Sequence, residues 1–379
     1  MKKVLEASIA TAIGAKLSRV QVFPMYPITP STHIHEHIAE FINNGELEAE
    51  LIDVESEHSA MSAAIGAEAT GARAFTATSS QGLALMFEML PIASGLRLPI
   101  VMAVANRSLS APLNIWNDHA DAVSARDQGW IQLFVESGQE ALDTVIQAFK
   151  IAEDKKVLLP VMVNLDGFSL THVFEPIDTP SQKQVDDFLP AYKAEHFLDV
   201  KNPKSFGPIS FPDTFMEFKK AQQSAMEFAM GAIKKTNSEF AKKFGRGYGN
   251  GLIELYKMHD AKIAVIAMGT VCGTARVVVD ELRKKGKKAG LIKLRSLRPF
   301  PSKELQEATK NLKALGVIDR HVSLGFEGPL FTDIKAVANP KLKISGFIAG
   351  LGGRDVSMEH LHSVFTELSK ADPKGSWLL

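Results

Sequence analysis

Four stretches of this sequence set charged or hydrogen-bonding side chains where an extended run gives way to a helical one. In MYPITPSTHI, Thr29 lies between Pro27 and Pro30, each fixing its own φ near about −65°. A rigid strand-to-helix turn would present the Thr29 hydroxyl at the carboxyl end of a strand, where open α/β sheets place ligands. A stiff connection without chemistry explains the same residues equally well. In ESEHSAMSAAIGAEATGARAF, Ser56 and Glu57 open a helix carrying Ala60, Ala63, Ala64, Gly66 and Ala67. So many small residues suit a tight core or subunit contact. A carboxylate at a helix start can simply complement the macrodipole, and on local grounds that plain reading prevails for Glu57. Glu55 competes with it, because alternation along a strand sends the two to opposite faces.

TATSSQGLALMFEML joins a strand to a helix through small residues, with Gly82 near the helix start. Such a junction leaves backbone N–H groups free for a ligand, although neither a Walker loop nor GxGxxG is present. Arg107, in VANRSLSAPLNIWNDHADAVSARDQGW, stands just past the strand LPIVMAVA. An arginine there can grip a carboxylate through two parallel hydrogen bonds. A structural salt bridge to Asp118 or Asp121 is of comparable weight. The loop that follows is long for a compact domain, and long loops are often functional.

Two other groupings are set aside. His33, His35, Glu36 and His37 lack the HExxH spacing, and His33 and His37 would share a solvated helix face, so no metal site is expected. Asp118, His119 and Asp121 imitate a hydrolase relay, but no GxSxG elbow accompanies them.

The elements that must position these residues alternate between strand and helix. Residues 4–17 have helical spacing, and Val20 to Tyr26 is a β-rich run. A helix capped by Ser31 is predicted to reach Ile42. Strands are predicted at 49–54, 73–78, 98–105 and 157–164, with helices at 57–71, 80–94 and 139–153. LPIVMAVA and VLLPVMVNL are apolar on both faces, which suits central strands of a parallel sheet covered on both sides. From about Pro176 to Met258 prolines break the pattern, and an amphipathic helix is predicted from about Asp213 to Ala241. A second α/β unit begins at Ala261 with the strand KIAVIAMG and a helix at 274–285. AGLIKLRSL, LKALGVIDR and LKISGFIAGLGG follow as strands, and Asp355 is the expected cap of the last helix.

A chain of 379 residues with 45% hydrophobic residues can bury the cores of two domains. Its net charge of +0 gives no electrostatic basis for holding nucleic acid or a membrane surface. The lone Cys272 cannot form an internal disulfide, nor a zinc or iron–sulfur site from this chain's own cysteines. The first 20 residues read as an amphipathic helix rather than a signal peptide, and no stretch offers the ~20 apolar residues of a membrane span. A cytoplasmic location is expected.

Taken together, YPITPST, SEHSAMSAAIGA, TATSSQGL, NRSLSAPLNIWNDHADAVSARDQGW and LDGFSLTH resemble the first domain of pyruvate:ferredoxin oxidoreductase (pyruvate synthase) alpha subunits. AMGTVCGTARVVVDEL, LRSLRPFP, DRHVSLGFEGPLFTDIKA and GLGGRDVS resemble the second. The resemblance covers nearly the whole chain and is least diagnostic at 213–258. It implies an α/β protein of two domains. Residues 1–258 would form a pyrimidine-binding-type parallel-sheet domain with a helical extension from about 176. Residues 259–379 would form a transketolase C-terminal-like α/β domain serving assembly and framing the pocket.

The resemblance also implies roles. Glu57 would bond N1′ of the thiamine aminopyrimidine, and Thr29 and Arg107 would receive the substrate carboxylate. Thr78, Ser80, Gln81 and Gly82 would line the cofactor pocket. No GDG motif with a following asparagine is present. A beta subunit would therefore supply magnesium, the diphosphate grip and a 4Fe–4S cluster, with gamma and delta subunits completing the complex and the isolated chain inactive. Thiamine diphosphate, coenzyme A as cosubstrate and ferredoxin as electron acceptor are implied, in the setting of anaerobic metabolism. Thr29 in place of a second cation favours pyruvate over 2-oxoisovalerate, 2-oxoglutarate or oxalate. A structural subunit without chemistry is the rival from another class.

Overall fold

The structure is a computed structural model and describes residues 2–379. Val101–Asn106 and Val161–Asp166, each buried at every residue, lie side by side and parallel, with Val101 opposite Val161 and Asn106 opposite Asp166. They centre a five-stranded sheet of order Ser296–Arg298, Ile131–Phe134, Val161–Asp166, Val101–Asn106, Phe75–Thr78. A parallel pair, Val22–Met25 and Glu50–Asp53, continues the sheet through a bridge from Val22 to Ala74. Alternate residues of the central strands feed two cores. Val101, Ala103, Val161 and Val163 meet Ala7–Leu17 and Gly138–Ala152 on one face, while Met102, Val104 and Met162 meet Met61, Leu83 and Trp130 on the other. Each large side chain so buried stabilises by roughly 1.5–3 kcal/mol. Gly14 permits the closest helix contact, since a Cβ there would lie 3.0 Å from the Leu142 carbonyl oxygen.

The second sheet has six strands in the order Ser376–Leu378, Lys343–Ala349, Ala314–Asp319, Ile263–Ala267, Ala289–Leu294, Ile253–Tyr256. All pairs are parallel except the last, where Ile253–Tyr256 runs antiparallel to Ala289–Leu294. The second sheet therefore begins before residue 259. The run AGLIKLRSL is not one strand. Arg295, fully buried, turns its guanidinium onto Glu140, and Ser296–Arg298 crosses to the first sheet to pair antiparallel with Ile131–Phe134.

Other departures have local causes. Lys2–Glu6 is an edge strand paired with Phe174–Asp178, so the first helix begins at Ala7. The helical run 80–94 divides into Ser80–Leu85 and Met89–Gly95, with Pro91 in the first turn of the second, where a missing N–H costs nothing. The last helix, Met358–Leu368, is capped by Ser357, whose hydroxyl accepts the His360 N–H at 3.3 Å; Asp355 is not the cap. Residues 182–244 pack on the first domain. Phe188 stacks edge-on against Phe240 and Phe244 from the long helix Phe215–Phe244, which Gly245 ends at φ 73°. No helix among the described residues is long and apolar enough to cross a membrane.

Candidate active site

The carboxyl ends of the first sheet's parallel strands bring the candidate residues to one edge. Glu57 is the first residue of the helix Glu57–Ala69, whose cap Ser56 accepts the Ser59 N–H at 3.3 Å. That cap turns Glu57 inward, to 6% exposure, while Glu55 stays exposed and accepts the Ser59 hydroxyl. The competition between the two glutamates is thereby decided by burial. Across from Glu57, Thr78 ends its strand and Gly82 lies in the helix Ser80–Leu85. A Cβ at position 82 would sit 2.5 Å from Thr78 Oγ1 and 2.7 Å from Glu57 Oε1. Only glycine leaves room for both oxygens. Thr78 Oγ1 is buried without a hydrogen-bond partner, and no described residue donates to the Glu57 carboxylate. Buried polar atoms are nearly always partnered, so the open Thr78 Oγ1 marks this junction as an exception beside the Glu57 carboxylate.

Ser80 and Arg107 are held by one carboxylate. Asp121 Oδ2 accepts the N–H of Ser80 at 2.9 Å and of Arg107 at 3.0 Å. Its Oδ1 accepts Asn106 Nδ2 at 2.9 Å and the Ala122 N–H at 2.7 Å. Burial pushes the Asp121 carboxyl up to about 6, against the pull of these donors. Ser80 also donates its hydroxyl to the Ser108 carbonyl and to Gln81 Oε1. Arg107 meets Asp121 through its backbone N–H, and its guanidinium pairs with neither Asp118 nor Asp121. Instead Nη1 donates to the Thr29 carbonyl at 2.9 Å and Nε to the Asn114 carbonyl at 3.3 Å. Two carbonyls fix the cation and Nη2 keeps no partner among the described residues. Thr29 itself is exposed, beside the buried Pro30.

The second domain reaches the same edge. Asp166, at the end of its strand, accepts from His119 Nε2 at 2.8 Å, Arg320 Nη1 at 2.6 Å and the Thr270 N–H at 2.9 Å. Burial alone would raise that carboxyl, but the Arg320 guanidinium and His119 hold it well below the usual range. Asn114 Nδ2 donates to the Gly352 carbonyl at 3.1 Å, and Asp118 Oδ2 accepts from Ser108 Oγ at 2.7 Å and the Gly352 N–H at 3.2 Å. The long 107–119 loop is thus clamped between the domains. Asp166, Arg320 and Gly352 lie in LDGFSLTH, DRHVSLGFEGPLFTDIKA and GLGGRDVS, but no spacing within those segments assigns them to this edge, and only the fold assembles them. Of the histidines set aside earlier, His33 contacts Glu6, His35 lies between the Ser31 and Ala77 carbonyls, and His37 contacts Glu40.

Residues 13–238 match the family model described as pyruvate flavodoxin/ferredoxin oxidoreductase, thiamine-diphosphate-binding, and residues 261–361 match pyruvate:ferredoxin oxidoreductase core domain II. The chain belongs to the pyruvate:ferredoxin oxidoreductase family. Within that family it is 52% identical over 372 residues to pyruvate synthase subunit PorA of Methanocaldococcus jannaschii, covering 98% of this chain and 95% of the relative. It is 44% identical over 379 residues to ketoisovalerate oxidoreductase subunit VorA of Pyrococcus horikoshii, covering 99% and 95%. A solved 2-oxoglutarate:ferredoxin oxidoreductase from Magnetococcus marinus superposes with a TM-score of 0.76 at 21% identity, and so shares the fold. The match covers 97% of this chain and 65% of that longer one. The family model's thiamine-diphosphate-binding region contains every candidate residue: Thr29, Glu57, Thr78, Ser80, Gln81, Gly82 and Arg107.

Proposed function

We propose that this chain is the alpha subunit of a pyruvate:ferredoxin oxidoreductase and contributes the aminopyrimidine side of its thiamine-diphosphate site. The observation that carries the reading is the buried, unpartnered Thr78 Oγ1 facing, across Gly82, the carboxylate of the buried Glu57, to which no described residue donates. That cradle fits an aminopyrimidine, a flat ring bearing both donors and acceptors. Bound thiamine diphosphate supplies the carbon nucleophile and electron sink that decarboxylation of a 2-oxoacid requires.

This chain's residues do the rest of what it contributes. Glu57 would hold the proton at N1′ of the ring, and the Ser80–Gly82 turn would line the same pocket. Arg107, its Nη2 free and its other nitrogens braced by two carbonyls, receives the carboxylate of the 2-oxoacid. Thr29 closes the same end with its hydroxyl. One braced cation suits one carboxylate, which favours pyruvate, and the 52% identity to a pyruvate synthase subunit leans the same way.

The remaining parts belong to other chains in this reading. Cys272 is buried, with burial pushing its thiol well up, so it is no cluster ligand. Beta, gamma and delta subunits would bring magnesium, the diphosphate grip and the 4Fe–4S clusters, with coenzyme A as cosubstrate and ferredoxin as electron acceptor. This reading places the enzyme in the cytoplasm, where coenzyme A and ferredoxin are at hand. Glu57→Gln in the reconstituted complex tests it: turnover should fall by about 10²-fold or more, as expected for loss of a positioned acid–base group. Turnover within a few-fold of wild type would overturn the role of Glu57. A panel of pyruvate, 2-oxoisovalerate, 2-oxoglutarate and oxalate, compared by kcat/KM, assigns the substrate.

A further inference from the structure

Asp121 touches neither the cradle at Gly82 nor the free edge of Arg107, yet its carboxylate joins them. A carboxylate serving only its own helix, Ala120–Ser124, would need the Ala122 N–H and nothing more. Asp121 instead gathers donors from the ends of two neighbouring strands: Ser80, just after Phe75–Thr78, and Asn106 and Arg107, at the end of Val101–Asn106. It does so at 3% exposure, and the Arg107 guanidinium feels its charge without a hydrogen bond to it. Ser80 needs such a hold, because its φ of +44° is one that side chains other than glycine rarely adopt. Asn106 is oriented by the same acceptor. It points Nδ2 at Asp121, and its Oδ1 is left buried without a partner.

The geometry points to Asp121 as a positioning residue that keeps the cofactor turn at Ser80–Gly82 in register with the substrate arginine Arg107. This inference rests on the reading of Glu57 and Arg107 given above. Its lever is distance. Reacting groups displaced by about 1 Å cost about 10²-fold in rate, and one carboxylate sets both starting points.

The test uses the complete complex with its partner subunits. Asp121→Ala should raise KM for pyruvate at least about tenfold, and raise the Kd of thiamine diphosphate with Mg2+, measured by calorimetry, at least about fivefold. Asp121→Asn should stay within about threefold of wild type in both. Its carboxamide oxygen can still serve Ser80 and Arg107, the two bonds on which the register rests, and only the Ala122 N–H and Asn106 lose their acceptor. Because Asp121 acts through Arg107, adding Asp121→Ala to Arg107→Ala should change KM by less than about twofold. Additive effects, unchanged KM and Kd in Asp121→Ala, or equal damage in Asp121→Asn would each overturn the proposal. If Asp121→Ala does not assemble, Asp121→Ser, which retains one acceptor, takes its place. Failure of both to assemble assigns Asp121 to the fold alone and likewise overturns it. The two readings fail separately: if Arg107→Ala leaves KM unchanged, the site assignment is wrong, whatever Asp121 does.

Discussion

Glu57 and Glu140 are near copies in local terms and opposites in their surroundings. Each is a buried glutamate in the first turn of a helix capped by serine, Ser56 in one case and Ser137 in the other. Glu140 has both oxygens bonded: Oε2 by Lys293 Nζ at 2.6 Å and the Glu136 N–H at 3.0 Å, Oε1 by Arg295 Nε at 2.9 Å. Burial would raise its carboxyl, but the two cations hold it below the usual range. The Glu57 carboxylate has no donor among the described residues. Similar helix starts thus hold a satisfied lock between domains in one case and an unbonded carboxylate beside Gly82 in the other. Burial alone does not separate the two roles; satisfaction of the buried oxygens does.

The lock is the place to break that comparison hardest. Glu140→Ala would leave Lys293 and Arg295 buried and unpaired, and should destabilise the chain by about 3–5 kcal/mol in denaturant unfolding. A loss below about 1 kcal/mol would mean that the pairing contributes little and that the contrast with Glu57 is one of geometry only.

A third glutamate sharpens the contrast on the helix of Glu57 itself. Glu68, near the far end, is buried and accepts the Ala74 N–H at 2.9 Å. Burial pushes its carboxyl up to about 8 from an ordinary 4.5, and Glu153 adds to the shift. The native state then keeps a proton that the unfolded chain releases. Stability should therefore be full below about pH 4.5 and fall as pH rises toward about 8. Glu68→Gln should flatten that decline and be more stable than wild type at pH 9, by about 1–3 kcal/mol. Parallel melting curves for the two proteins between pH 6 and 9 would refute it.

Much of this arrangement was legible in the residues. The runs around Val101–Asn106 and Val161–Asp166 are apolar on both faces, and they are the central parallel strands. What escaped was short or long-range. Ile131–Phe134 offers only four residues and follows residues 107–130, whose one short helix, Ala120–Ser124, gives little periodicity. Ser296–Arg298 looked continuous with Ala289–Leu294, because nothing local announces that Arg295 must reach a glutamate 155 positions earlier. Glu57 read locally as a macrodipole partner, and family resemblance rather than spacing assigned it a ligand. Asp121 entered as a salt-bridge candidate for Arg107 and as part of the relay set aside, whereas most of its bonds are to backbone N–H groups that no sequence pattern displays.

Gly82 tests the cradle with a smaller expected effect. A Cβ there would press on Thr78 Oγ1 and Glu57 Oε1, so Gly82→Ala should raise the Kd of thiamine diphosphate about tenfold, or about 1.4 kcal/mol. The fold should hardly notice, since the atoms displaced are unpartnered. An unchanged Kd would show that the cofactor ring does not lie against this glycine.

The smallest effect is the most telling. Removing the charge at Glu57 takes no hydrogen bond from the described residues, because none of them donates to its carboxylate. Glu57→Gln should therefore change unfolding free energy by less than about 1 kcal/mol, on the neutral or stabilising side, while abolishing most turnover in the complex. Glutamine at 140 would do the reverse, weakening the lock far from the reacting atoms. If the two substitutions instead destabilise the chain to a similar extent, Glu57 has a partner within its own fold, and an unbonded carboxylate beside Gly82 is not what distinguishes the two helices.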